Sequence, residues 1–199
     1  MRFPGSWESD GKFTMDNCVK SLEEAYVFIQ EGAGVELRRN TKKEWVHDKI
    51  IILGSSFGGG VILSSNIKDP LAFALLAPVT KLQHVKDSLF ILPSGVDDIF
   101  YLLSEGYTNV YRGLTKKDWS NFLDGKTLIN PEKNIDNLKN KKLLFVQGTD
   151  DDVIQSTHTA EYAKELQDAE VDVKLISVQG AGHGWDLEEK AVQILVGNL

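Results

Sequence analysis

Cysteine is almost absent: Cys18 is the sole one among 199 residues. An internal disulfide is therefore excluded, and the chain is compatible with a reducing compartment such as the cytoplasm. Cys18 also lacks the strand–turn–helix setting of a nucleophile and reads as structural. Basic residues are outnumbered, 22 Lys and Arg against 29 Asp and Glu, for a net charge of −7. No basic stripe is available to track a phosphate backbone, so nucleic acid is not an expected partner, although a local cation could still hold a small anionic substrate. Long apolar runs are missing as well. None reaches the roughly 18 residues of a membrane span, and the start, MRFPGSWESD, has no apolar stretch of the signal-peptide kind. There is no internal repeat and no low-complexity segment. What is there, 42% hydrophobic and 26% charged residues over this length, fits one globular domain spanning 1–199.

Residues 1–13, rich in Gly, Ser and charge, read as loop. Over 16–31, Val19, Leu22, Ala25, Tyr26 and Ile29 fall on one face at helical spacing, and Gly32 and Gly34 end that helix. KIIIL (49–53) is the β-branched run of a buried parallel strand, and the second half of GSSFGGGVILSSN reads as a helix. LAFALLA (71–77), closed by Pro78, is a second strand. Residues 81–140 scatter aromatics, Phe90 to Phe122, between polar stretches. They read as an insertion of short helices, with a helical cap over 81–125. LLFVQG (143–148), a helix from about Ser156 to Asp168, VKLISVQ (173–179) and a helix from about Leu187 to Val196 complete the chain. Strands alternating with helices predict an α/β fold, a mostly parallel, doubly wound sheet with helices on both faces. Ligands in such sheets sit at the carboxyl ends of the strands, so the polar clusters just after strands are where chemistry is to be sought.

The first cluster, Gly54-Ser55-Ser56-Phe57-Gly58, fits G-x-S-x-G between a strand and a helix. A serine on that tight turn projects above the sheet from a strained backbone. Gly54 and Gly58 are expected there because side chains would collide with the neighbouring strand and helix, and the Phe57 N–H could face an oxyanion. The plainer reading is a glycine-rich packing turn. Neither nucleotide-binding glycine pattern fits it. The second cluster, Gly148-Thr149-Asp150-Asp151-Asp152, offers a carboxylate to orient a base, though three acids in a row also suit a solvated turn or a helix cap. The third, Gly180-Ala181-Gly182-His183-Gly184-Trp185, sets a histidine in an adaptable loop with little apolar packing around it; alone, it would be a surface histidine. His47, His84 and His158 lack such a setting.

Serine, acid and histidine, each after a successive strand, follow the triad order of α/β hydrolases. On GSSFGGG, LLFVQGTDDDVI and GAGHGW the sequence resembles the α/β-hydrolase superfamily, nearest to its prolyl-oligopeptidase-like and small-esterase branches. FPGSWESDGKF (3–13) resembles the Gly-rich stretch that follows the preceding strand in that family. The resemblance implies a nucleophile at Ser56, a base at His183 and an orienting acid at Asp151, three residues beyond Gly148, with Asp150 as the alternative. The family often carries histidine where this chain has Gln147. It also implies an upstream strand and a His-Gly loop giving a second oxyanion donor, both expected before Met1. The chain is thus expected to be N-terminally incomplete and a poor catalyst by itself, and either to self-associate through an exposed sheet edge or to cover that edge with another of its segments.

The function expected is serine hydrolysis of an ester, thioester or amide, from a small-molecule or peptide substrate, by an esterase or peptidase-like enzyme. No metal or organic cofactor and no membrane partner is expected. A non-catalytic binding member with an incomplete oxyanion site is the alternative from another class, and the same fold also supports lyase or haloperoxidase-like chemistry. Fluorophosphonate labelling separates the first two.

Overall fold

The computed structural model describes residues 1–83, 100–107 and 110–198. Helix α1, Met15–Glu31, starts where the Thr14 hydroxyl accepts the Asn17 N–H and ends at Gly32, whose left-handed φ of 68° only glycine adopts without strain. Its buried face is Met15, Cys18, Val19 and Tyr26. Ile29, assigned to that face from sequence, is exposed because the helix runs past the edge of the core. Gly34 lies beyond the helix, inside a short antiparallel hairpin of β1, Ala33–Glu36, and β2, Thr41–Glu44. The sequence reading missed this hairpin because no residue of β2 is buried, so no apolar alternation marks it.

The main sheet has four parallel strands: β3, Ile51–Ser55; β4, Ala72–Leu76; β5, Lys142–Gly148; and β6, Asp172–Val178, in the order β3-β4-β5-β6. Helix α2, Phe57–Leu63, follows β3; α3, Lys116–Leu123, and the single turn α4, Ile135–Leu138, precede β5; α5, Ser156–Asp168, and α6, Trp185–Asn198, follow β5 and β6. Successive side chains of a strand point to opposite faces, and two cores result. Ala74, Leu76, Leu144 and Val146 pack with Cys18 and Val19 of α1 and with Leu187, Ala191 and Leu195 of α6. Phe73, Leu75, Leu143 and Phe145 pack with Leu63 of α2 and with Tyr162 and Leu166 of α5. This is the α/β layering expected, helices on both faces of a parallel sheet.

One strand differs from its expected setting. KIIIL reads as buried, yet Ile51 and Leu53 are 41% and 54% exposed, because β3 pairs with β4 on one side and with no other strand on its second side among the described residues. Of the expected 81–125 cap, residues 84–99 and 108–109 lie outside the described residues. The described remainder includes a π-helical turn, Leu102–Gly106, and α3, held at Thr115 by a reciprocal capping box with Asp118. Trp119 and Phe122 of α3 belong to the same core as Phe13 and Val61.

Candidate active site

Because the four strands are parallel, their carboxyl ends share one rim. Ser56 stands on it between the end of β3 and the first residue of α2, with φ 50° and ψ −118°. This conformation is costly for a residue with a side chain and persists only where its surroundings fix it. They do so through the Ser56 N–H, which donates to Leu76 O at 2.8 Å, and through Ser56 O, which accepts from the Val79 N–H at 3.0 Å. The end of β4 thus clamps the elbow from the side.

The glycines around it divide differently from expectation. A Cβ at Gly54 would come 2.5 Å from Ile62 and 2.8 Å from the Gly58 backbone. A Cβ at Gly58 would meet nothing within 4 Å, so the expected collision there is absent. It occurs one residue on, where a Cβ at Gly59 would come 2.5 Å from Pro78. Phe57 opens α2, and its N–H lies in the first turn, where a helix supplies no backbone acceptor of its own. Its ring packs among Phe3, Phe13 and Phe122 with centroids 5.9 to 6.3 Å apart, forming an aromatic bed under the elbow.

After β5 the chain makes the acidic turn. The Asp151 side chain is fully buried. Its Oδ1 accepts the N–H groups of Val153 and Ile154 at 2.9 and 2.7 Å. Its Oδ2 lies 2.8 Å from His183 Nδ1 and accepts from Gln147 Nε2 at 3.1 Å. Burial, the largest single influence, pushes the carboxyl pKa up. The His183 hydrogen bond, the Ile154 N–H, the charge on His183 and the Val153 N–H together outweigh it and hold the group below its ordinary value. An ionised carboxylate only accepts, so His183 Nδ1 donates in this contact and Nε2 is the ring nitrogen turned away from the acid. Asp150 instead accepts from the Thr149 hydroxyl at 2.8 Å, and Asp152 is exposed.

The His183 loop is stitched to the acidic turn by backbone. Asp150 N–H donates to Ala181 O at 3.0 Å, Thr149 N–H to Val178 O at 3.1 Å, and Gly180 N–H to the Thr149 hydroxyl at 2.8 Å. Gly148 permits this approach, since a Cβ there would lie 2.3 Å from Ala181 O. The structure therefore brings Asp151 and His183 into contact and sets Ser56 on the same rim. The Ser56 hydroxyl forms no hydrogen bond with His183 among the described residues. Two buried partners, Gln147 and Thr159, escaped the sequence reading. Thr159, twelve residues further along on α5, donates to Gln147 Oε1 at 2.7 Å, and sequence spacing offers no signal for such a pair. Cys18 is buried in the core, where burial pushes its thiol up to about 12, leaving it no thiolate character.

A parallel sheet with a strained serine after one strand and a paired acid and histidine after two later ones defines the class of α/β hydrolases. The chain belongs to the prolyl oligopeptidase family, whose model matches residues 91–195, more than half of it, including Asp151 and His183. No curated protein matches it. Its fold is similar to that of a puromycin-hydrolysing peptidase of Mycobacterium tuberculosis (17% identity, TM-score 0.59), with 89% of this chain aligned to 24% of that one. It is similar also to an esterase of Pyrococcus furiosus (16% identity, TM-score 0.65), over 98% of this chain and 66% of that one. A third is an alpha-beta serine hydrolase homologue of Coxiella burnetii (14% identity, TM-score 0.56), over 99% and 66%. The chain thus spans from about a quarter to about two thirds of the length of these relatives.

Proposed function

We propose that the chain is a serine hydrolase working by acyl transfer. Ser56 attacks an ester, thioester or amide carbonyl, His183 Nε2 takes and later returns the proton, Asp151 holds the imidazole, and the Phe57 N–H is one donor to the oxyanion. The observation that carries the reading is the 2.8 Å contact of a buried Asp151 with His183 on the rim that also bears the Ser56 elbow. The family supports esterase or peptidase chemistry. A peptide or small molecule is the proposed substrate, and neither metal nor organic cofactor takes part. The helical cap expected over 81–125 is proposed for its described part, which includes α3. No described helix is long and apolar enough to cross a membrane, and the cytoplasm is the proposed location. The uncovered β3 edge is proposed as a self-association surface.

A second reading has one observation in its favour. Ser56 and His183 are not hydrogen bonded, as in a binding member of the fold that does no chemistry. Catalytic hydrogen bonds are often long before substrate arrives, so hydrolysis remains the better reading. Hydrolysis of a p-nitrophenyl ester by the wild type and not by Ser56→Ala supports it. Equal rates for the two proteins would remove Ser56 from the chemistry.

A further inference from the structure

We propose that Gln147 and Thr159 form a buried positioning pair that sets the charge and orientation of Asp151, and through it the strength of the base; the catalytic part of this rests on the hydrolase reading. Gln147 is 1% exposed and Thr159 is fully buried; the Gln147 amide meets Thr159 and the acidic turn, and the Thr159 hydroxyl meets Gln147. The Thr159 hydroxyl donates to Gln147 Oε1 at 2.7 Å. That bond anchors the oxygen end of the amide. With Oε1 engaged by Thr159, the NH₂ group points at Asp151 Oδ2 (3.1 Å), Ile154 O (3.0 Å) and Gly148 O (3.3 Å). A flipped amide would set its oxygen against a carboxylate and two carbonyls, so those three acceptors select the donor face, and the Thr159 hydroxyl anchors the opposite end of the amide.

The consequence follows from counting donors. Val153 and Ile154 saturate Oδ1 from their own turn. Oδ2 is the oxygen that meets His183, and its second donor comes from outside the turn, from Gln147. A donor shared on Oδ2 draws charge away from the His183 contact and holds the oxygen in the imidazole plane at the same time. Without it, the carboxylate is bound by three donors rather than four, its proton affinity rises, and its pull on the Nδ1 proton strengthens. The base then stays protonated to higher pH. Gln147 and Thr159 touch neither substrate nor the reacting atoms, so both are positioning residues. A neutral amide suits the place: it donates without adding a second charge beside a buried carboxylate.

Two readouts test this in the full chain. The first, carboxyl-carbon NMR titration of Asp151, needs no activity. Its midpoint is expected to rise on Gln147→Leu, and on Thr159→Val, by on the order of half a pH unit or more, since hydrogen bonds to the charged form are what lower such values. Thr159→Val deletes one hydroxyl and serves where Gln147→Leu does not fold. The second is the pH dependence of Ser56 labelling by a fluorophosphonate, whose acid limb is expected to move to higher pH in both variants. Gln147→Glu, which brings a second carboxyl to Oδ2, is expected to raise the Asp151 midpoint further. A purely structural pair would lower the melting temperature and leave both titrations where they were; an unchanged Asp151 midpoint in a folded variant overturns the proposal. A wild-type chain that takes no label would remove the hydrolase reading instead, and the carboxyl titration would still decide the role of Gln147.

Discussion

At the level of single residues, Asp151 is where sequence and geometry meet most sharply. Three adjacent acids look alike in composition, yet the Asp151 side chain is fully buried with four donors, whereas the Asp150 carboxylate meets only the Thr149 hydroxyl among the described residues and Asp152 faces solvent. In ester hydrolysis Asp151→Asn should therefore cost about 10⁴ in kcat, the size seen when a triad acid is made neutral, while Asp150→Asn stays within a few-fold of wild type; a larger loss at Asp150 would exchange their roles. The carboxyl is held below its ordinary value, so its folded form binds its proton more weakly than the unfolded chain does. Its contribution to stability is then full above the unfolded value of about 4 and is lost as pH falls through the folded one. Urea unfolding from pH 7 to pH 2 should show this loss, reduced in Asp151→Asn. An equal loss in the variant would place the acid sensitivity elsewhere. What the sequence could not convey is Gln147, whose meaning depends on a threonine on a different element.

Among the elements, the strands and their order of appearance were legible because burial on both faces leaves continuous apolar runs, as in AFALL of β4, every residue of it buried. The β1–β2 hairpin was not, since neither strand has a buried residue and β2 is exposed throughout. The exposure of β3 was also hidden: an apolar run records that a strand is made to be covered, not which side its neighbours occupy. The elbow shows the same limit for glycine. G-x-S-x-G marks the turn, but the close approach to Pro78 falls on Gly59 and not on Gly58. Gly59→Ala should lower stability by roughly 1–3 kcal/mol through overpacking, whereas Gly58→Ala, inside α2 and free of contacts, should be neutral or stabilising by up to about 1 kcal/mol. Thermal melts of the two variants check this, and a Gly58→Ala variant less stable than Gly59→Ala would contradict it.

For the molecule as a whole, the parallel order β3-β4-β5-β6 gathers three sequence-distant loops on one rim and leaves β3 at the margin. Exposed strand edges invite pairing, and natural proteins blunt them with charge, which β3 lacks in Ile51–Ser55. Size-exclusion chromatography with light scattering should find a concentration-dependent dimer that Leu53→Lys converts to monomer; a wild-type monomer at every concentration would show that the edge is otherwise protected. The serine on the rim remains the centre of the account. The most direct measurement is intact-mass analysis of the chain after reaction with a fluorophosphonate, run beside Ser56→Ala, His183→Ala and Asp151→Asn. The account predicts a single adduct on the wild type, none on Ser56→Ala, and labelling slowed by orders of magnitude in the other two. An adduct that persists in Ser56→Ala, or equal labelling rates in the wild type and His183→Ala, would contradict it.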